Sequence, residues 1–333
     1  MDSLTQIVLG ASVGEAVLGK KVGNKAILYG AIAGTIPDLD VFANHFTDTL
    51  TAIEIHRGFT HSLFFAIVFA PIFGWLVSKI ERKSLATWKD WSKLMFFGFI
   101  THAVLDSFTT WGTQLFWPLD YPLAFQNIFV IDPLYTLPFL VFLILAMFQK
   151  RTSLKRRKYN RLGLIISSGY LILTFILKGI TYSKFTQALK QEQITYSDIQ
   201  TKPSPLNSIL WMAHVQTEDA YLIGEYSFFD TQPIIFHSFK KDHHLLGNLI
   251  NDSNVQRLIK ISEGWFIISE ENGQLFFNDL RFGLLNNDYQ NPQFTFSYLL
   301  KDQNGIINIE ENSKSRDDAK KLLLELWGRV KGN

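Results

Sequence analysis

From Leu63 to Ile80 the chain is apolar, with no ionisable side chain before Lys79. A run of this length is long enough to cross a bilayer, where a helix satisfies its own backbone hydrogen bonds. Leu94–Trp111, Leu134–Phe148 and Leu162–Ile180 repeat the pattern, and two shorter apolar segments, Leu4–Leu18 and Lys25–Thr35, precede them. The short pair carries Gly10, Gly14, Gly30 and Gly34 at four-residue spacing. Small residues so spaced let helix backbones approach closely. These two helices can tilt, sit inside the bundle or form a re-entrant hairpin.

After residue 181 the pattern changes. Asn207–Val215, Tyr221–Phe229 and Phe294–Leu300 read as strands, and Gly264–Ser269 with Gln274–Leu280 reads as a hairpin around Asn272-Gly273. Asp317–Arg329 reads as an amphipathic closing helix, and Trp211, Trp265, Phe276, Phe277 and Trp327 read as core. His243-His244 could bind a metal, but an exposed adjacent pair in a polar loop reads as having no role. The fold class is therefore an α-helical polytopic membrane domain of about six segments, the first two short, over residues 1–181, followed by a soluble α+β domain over 182–333.

Charge orients the chain. Lys20, Lys21 and Lys25, then Lys79, Arg82, Lys83, Lys89 and Lys93, then Lys150 to Arg161 crowd alternate loops, whereas residues 37–60 offer only Arg57 and residues 112–131 offer no Lys or Arg. The basic loops belong in the cytoplasm. The chain is expected as a multi-pass cell (inner) membrane protein with its N-terminus and its 182–333 domain outside. Asp2 precedes the first apolar run and lysines follow it, the reverse of a signal peptide, so that run is expected to be retained. The near-zero net charge (+2) points away from nucleic acid as a partner, and the absence of cysteine excludes thiolate metal sites and cysteine nucleophiles.

The polar residues on the outer side are specific in kind. His56-Arg57-Gly58-Phe59-Thr60-His61-Ser62 stands at the lip of the Leu63 run, with Thr60 read as the helix N-cap and His61 in the first turn. Pro37-Asp38-Leu39-Asp40 follows the second segment, and His102 and Asp106 share one face of the fourth. Ionisable groups at this depth are costly and tend to be paired and functional. The candidate metal ligands are Asp38, Asp40, His56, His61, His102 and Asp106. Mixed His and Asp donors suit Zn²⁺ first, with Mn²⁺ or Fe²⁺ also compatible, as one ion or two. Arg57 is the candidate anion clamp. Asp40 either orients a water or ligates a second metal.

Met1-Asp2-Ser3-Leu4-Thr5, Pro37-Asp38-Leu39-Asp40, the His56–Ser62 stretch and Thr101-His102 with Leu105-Asp106 resemble, in this order, the motifs of YdjM-type inner-membrane proteins. That resemblance covers roughly residues 1–180 and implies a membrane-bound, metal-dependent hydrolase with these His and Asp residues as ligands. Many relatives place a histidine where this chain has Gln6. A looser similarity to zinc-dependent phospholipase C proteins implies a phosphoester substrate. The expected partners are the bilayer and a lipid-like or small phosphoester. The alternatives are a transporter or a metal-handling or regulatory membrane protein using the same residues.

Overall fold

The computed structural model describes residues 1–286, 288–303, 306–312 and 319–333. In chain order it shows α1 (Ser3–Val22), α2 (Asn24–Thr35), a 3₁₀ segment (Pro37–His45), α3 (Thr49–Ile55), a 3₁₀ turn (Phe59–His61), α4 (Leu63–Ile80), α5 (Trp88–Asp106), α6 (Pro133–Met147) and α7 (Leu154–Gln191). Among the described residues eight strands follow: β1 (Asp198–Pro203), β2 (Leu210–Gln216), β3 (Ala220–Ser227), β4 (Phe236–Lys240), β5 (Phe266–Glu271), β6 (Gln274–Leu284), β7 (Phe294–Gln303) and β8 (Ile306–Glu311). Helix α8 (Ser253–Ile261) lies between β4 and β5, and α9 (Ala319–Val330) follows β8. Two compact units result. Met1–Ala43, Ile55–Leu177 and Pro205–Ser208 form the first; Asn44–Glu54, Lys178–Ser204 and Ile209–Asn333 form the second.

The first unit is built on the contact between α1 and α2. A Cβ on Gly10 would stand 2.3 Å from the Gly30 carbonyl oxygen, and one on Gly30 equally close to that of Gly10. The backbones themselves touch, so only hydrogen fits there. Helices α2, α4 and α5 then close on a shared core of Tyr29, Ala33, Phe65, Trp91, Leu94 and Phe99. At the other end of α1, Glu15 takes both arms of Arg156 of α7 at 2.6 Å, and Arg156 also donates to Asn24. A buried pair held this way is costly to break on one side alone.

Among the described residues α4 and α7 are long and apolar enough to cross a membrane. The bent pair of α2 and Pro37–Ala43, broken by 41°, would make a third. Each of the six apolar runs read from sequence has its helix, but Leu94–Trp111 outruns α5, which ends at Asp106 before the chain turns, α6 has only 15 residues, and α1 and α5 are not among these candidate spans, so six membrane segments are not borne out. The helix α4 begins later than its sequence suggests. Ser62, not Thr60, is its N-cap, accepting from the Phe65 N–H at 3.0 Å, and His61 ends the preceding 3₁₀ turn. Thr60 is drawn away because its hydroxyl donates to Asp40 at 2.8 Å.

The second unit is sheet-rich. Strands β1–β4 form one antiparallel sheet and β5–β8 another, each in sequence order. Asn272 and Gly273 both take positive φ (51° and 75°), which makes the tight turn between β5 and β6. Tyr221, Ile223 and Phe239 of the first sheet pack with Trp265, Ile267 and Leu280, and α8 packs Val255 and Leu258 against Phe266, Phe277 and Tyr298. Leu50, from the short α3, joins this second core. Trp327 is exposed on α9 rather than buried, because one side of that short helix carries it outward with Leu323 and Leu324. The closing helix is described over Ala319–Val330; Asp317 and Asp318 lie outside the described residues. His243 is not idle, since its Nε2 pairs with the Phe266 carbonyl at 2.8 Å and its ring stacks on Phe266.

His214, on β2, is fully buried, and neither ring nitrogen has a hydrogen-bond partner among the described residues. Burial holds its pKa well below the ordinary imidazole range, and the nearby Lys202 ammonium adds to the effect. The folded chain then refuses a proton that the unfolded chain accepts. This contribution to stability is complete above about pH 6.5 and is lost as the pH falls below it. Replacing His214 with leucine is expected to stabilise the protein at neutral pH by about 1–3 kcal/mol, the cost of an unsatisfied buried group. It should also flatten the acid side of its stability curve. Urea melts at stepped pH would show this, and an unchanged acid limb would rule out His214 as the sensitive group.

Candidate metal centre

The break after α2 is where the centre begins. Pro37 lacks an N–H to continue the helix, so the chain turns into the 3₁₀ segment that carries Asp38 and Asp40. The Phe59–His61 turn presents His61, and the last turn of α5 presents His102 and Asp106. Asp38, His61, His102 and Asp106 each bring one ligand atom to a common point, all within 4.8 Å of one another. The three from α5 and the turn are fully buried and Asp38 is partly open.

The spacing is that of a coordination shell. His61 Nε2 lies 3.0 Å from His102 Nε2, 3.3 Å from Asp38 Oδ1 and 3.4 Å from Asp106 Oδ2. His102 Nε2 lies 3.4 Å from Asp38 Oδ1 and 3.8 Å from Asp106 Oδ2. Four ligands about 2.0–2.1 Å from a tetrahedral ion stand roughly 3.3 Å apart. Protonation states inferred from the partners point the same way. His102 Nδ1 faces the Gly34 carbonyl at 2.7 Å, so it carries the hydrogen and leaves Nε2 a lone pair. His61 Nδ1 faces the Asp40 carboxylate at 3.3 Å, with the same result. Two lone pairs and two carboxylate oxygens then converge, and Asp106 Oδ2 has no hydrogen-bond partner among the described residues. Such a set needs positive charge at its centre. Burial alone would lower the His61 pKa, but hydrogen bonding to Asp106, Asp38 and Asp40 outweighs it and raises the value to about 10, so a proton and a cation compete for the same Nε2 lone pair. The residues fit a divalent cation and can hold one.

Asp40 and His56 stand beside this cluster rather than in it. Asp40 Oδ1 pairs with His56 Nδ1 at 2.8 Å; its Oδ2 accepts from the Arg57 N–H at 3.1 Å and from Thr60. One carboxylate thus fixes the loop and the His61 ring together, as outer carboxylates do around ligating histidines. Arg57, at φ 63°, is buried; its Nη1 donates to Thr109 Oγ1 at 2.8 Å and its Nε lies 3.4 Å from Asp106 Oδ2. The guanidinium is therefore at the centre and tied to one of its carboxylates.

Two contributors carry no sequence signal of this role. The Gly34 carbonyl orients His102, and Thr109 anchors Arg57. Gln6, already singled out in the sequence, donates to Asp106 Oδ1 at 2.8 Å and to the His102 carbonyl at 3.3 Å, so this position does touch the centre. The buried Met1 amino group also meets Asp106 Oδ1.

Inner membrane protein YbcI of Escherichia coli (strain K12) is 35% identical over 101 residues, which is 30% of this chain and 57% of that protein. The chain thus matches little more than half the length of that relative. No solved structure matches. The model of the family described as YdjM inner membrane protein matches residues 1–181, which is more than half of the chain and includes every residue of the centre. This chain belongs to the YdjM inner membrane protein family.

Proposed function

We propose that the protein is a membrane-bound, metal-dependent hydrolase acting on an ester, most simply a phosphoester of a lipid-like substrate, at the outer membrane–water boundary. The observation that carries this reading is the convergence of four ligand atoms, with a buried arginine against them, at the start of an apolar helix. Zn²⁺ is the favoured ion on donor type and spacing. A divalent cation held there would supply Lewis acidity, and a nucleophile at neutral pH once its coordination admits a water beside the four protein ligands. Asp38, His61, His102 and Asp106 are the proposed ligands, with Asp40 and His56 bracing them. Arg57 is proposed to hold an anionic oxygen as charge builds on it. Thr109 and Asp106 keep the guanidinium in place for that role. The access route is the partly open Asp38 side, since the other three ligands are closed off.

The alternative is transport by the same residues. It draws on a second buried polar group on α1, Glu15, nine positions from Gln6. Glu15, however, is locked to Arg156 by two charge-assisted hydrogen bonds, which favours a structural bolt over a mobile carrier.

Chelation should abolish ester hydrolysis by the purified, metal-loaded protein. Arg57→Ala should lower turnover by about 10²–10³-fold with metal content intact, and Arg57→Lys should recover little of it because the forked geometry is lost. If Arg57→Ala strips the metal instead, the arginine is a structural partner of Asp106 and the clamp role fails. A metal-loaded protein inert toward a broad phosphoester and carboxyester panel would shift the reading to transport.

The loop charges support a membrane-embedded domain over residues 1–181 with the site on the outer side and residues 182–333 outside the cytoplasm. Reporter fusions after Lys158 and after Tyr182 should report opposite sides. The same side for both would remove α7 as a crossing and with it the outward-facing site.

A further inference from the structure

At the end of α4 remote from the centre lies a groove of ≈ 730 Å³ lined by Trp75, Ser78, Lys79, Arg82 and Trp88. From Leu63 to Ile80 the helix rises about 27 Å, close to the thickness of a bilayer's hydrocarbon core. If the start of α4 lies at one boundary, Lys79 and Arg82 therefore lie at the opposite headgroup level. The two indoles are half-exposed, as tryptophans at a membrane–water interface are.

The charges in the groove are free. Both neighbouring carboxylates are already engaged: Glu81 by Lys25 and Asp90 by Lys21. Neither Lys79 nor Arg82 has an ion-pair partner among the described residues. Lys79 Nζ sits 5.6 Å from the centroid of the Trp75 ring, and Arg82 spends only its Nε, on the Lys79 carbonyl at 3.0 Å. No acidic residue lines the groove. Two unneutralised cations between two aromatic walls call for an anion. Val68, Ile72, Trp75 and Leu76 form an exposed apolar track along α4 that leads into it. A soluble anion would have no use for that track, whereas an acyl chain would lie along it.

We propose that this groove binds the phosphate of an anionic phospholipid, with Lys79 and Arg82 on the headgroup, the indoles at the glycerol level and an acyl chain along the α4 track. The site is separate from the metal centre and does not depend on its chemistry.

Native mass spectrometry of the full chain in detergent, with equimolar phosphatidylglycerol and phosphatidylcholine, tests this. Each interfacial cation contributes roughly fivefold to binding of an anionic lipid. The wild type should retain phosphatidylglycerol at least roughly tenfold over phosphatidylcholine. The Lys79→Gln/Arg82→Gln variant should bring the two near parity, while Lys155→Gln, in another basic loop, should leave the preference intact. Equal retention of both lipids by the wild type, or an unchanged preference in the double variant, would overturn the proposal. So would an equal loss in Lys155→Gln, which would mean a diffuse basic belt. Displacement of the bound phosphatidylglycerol by millimolar inorganic phosphate would overturn it in favour of a soluble-anion site.

Discussion

The Gly30→Val protein is expected to lose the helical unit and, with it, the metal. A Cβ at position 30 would stand 2.3 Å from the Gly10 carbonyl oxygen and 2.9 Å from the Gly14 Cα, both backbone atoms that cannot rotate away. Helices α1 and α2 would have to separate along their whole contact. Overpacking of ordinary side chains costs about 1–3 kcal/mol, and a clash between backbones exceeds that range. The consequence reaches the centre because α2 carries Gly34, whose carbonyl orients His102, and α1 carries Gln6, which holds Asp106. Size-exclusion chromatography and metal content should fall together. Gly169→Val on α7, where an added Cβ meets nothing within 4 Å, should leave both unchanged. A Gly30→Val protein that stays monodisperse and metal-loaded would mean the two helices are not in backbone contact.

Asp106→Asn is the second large effect. The carboxylate is fully buried and meets His61 at 3.4 Å, His102 at 3.8 Å, Arg57 at 3.4 Å and Gln6 at 2.8 Å. An amide supplies neither the charge nor the ligand strength, so metal retention through chelator competition should be lost. Removing one partner of a buried ionic group typically also costs about 3–5 kcal/mol, because Arg57 is left uncompensated. Asp40→Asn separates the two roles. It leaves all four proposed ligand atoms in place and disturbs the support of His61 and of the loop that carries His56, Arg57 and Thr60, so affinity should fall by about 10–100-fold rather than vanish. Elemental analysis and competition titration of both variants give the order. Equal losses would place Asp40 among the ligands, and wild-type affinity in Asp106→Asn would remove it from the site.

Much of this molecule can be read one residue type at a time. Uninterrupted apolar runs locate the helices, because a long run leaves a membrane chain few other conformations. Glycines at four-residue spacing announce the α1–α2 contact, and Asn272-Gly273 announces the β5–β6 turn. The strands missed by such reading are β1, β4 and β8, and the missed helices are α3 and α8. Their sequences are short or polar, as in Asp198–Pro203, and they acquire order from the neighbours they pair with. The second core likewise takes Leu50 from a segment between Asp40 and His56 that carries no local mark of belonging there.

The list of metal-competent residues was legible for the same reason: histidine and carboxylate side chains at the ends of apolar segments are rare and expensive. Their division was not. Asp38 and Asp40 are two positions apart on the same short segment, yet Asp38 presents an oxygen to the His61–His102 pair while Asp40 turns to His56, Thr60 and the Arg57 backbone. Thr60 and Ser62 differ in the same way, one taken by Asp40 and the other left to cap α4. Sequence pattern determines which face and which end of a helix a residue occupies. Whether a given nitrogen or oxygen arrives within bonding distance of a shared point depends on helix rotation and separation to within an ångström. Contacts between segments far apart in the chain set those quantities, here the Gly10–Gly30 approach and the aromatic core around Phe65 and Phe99.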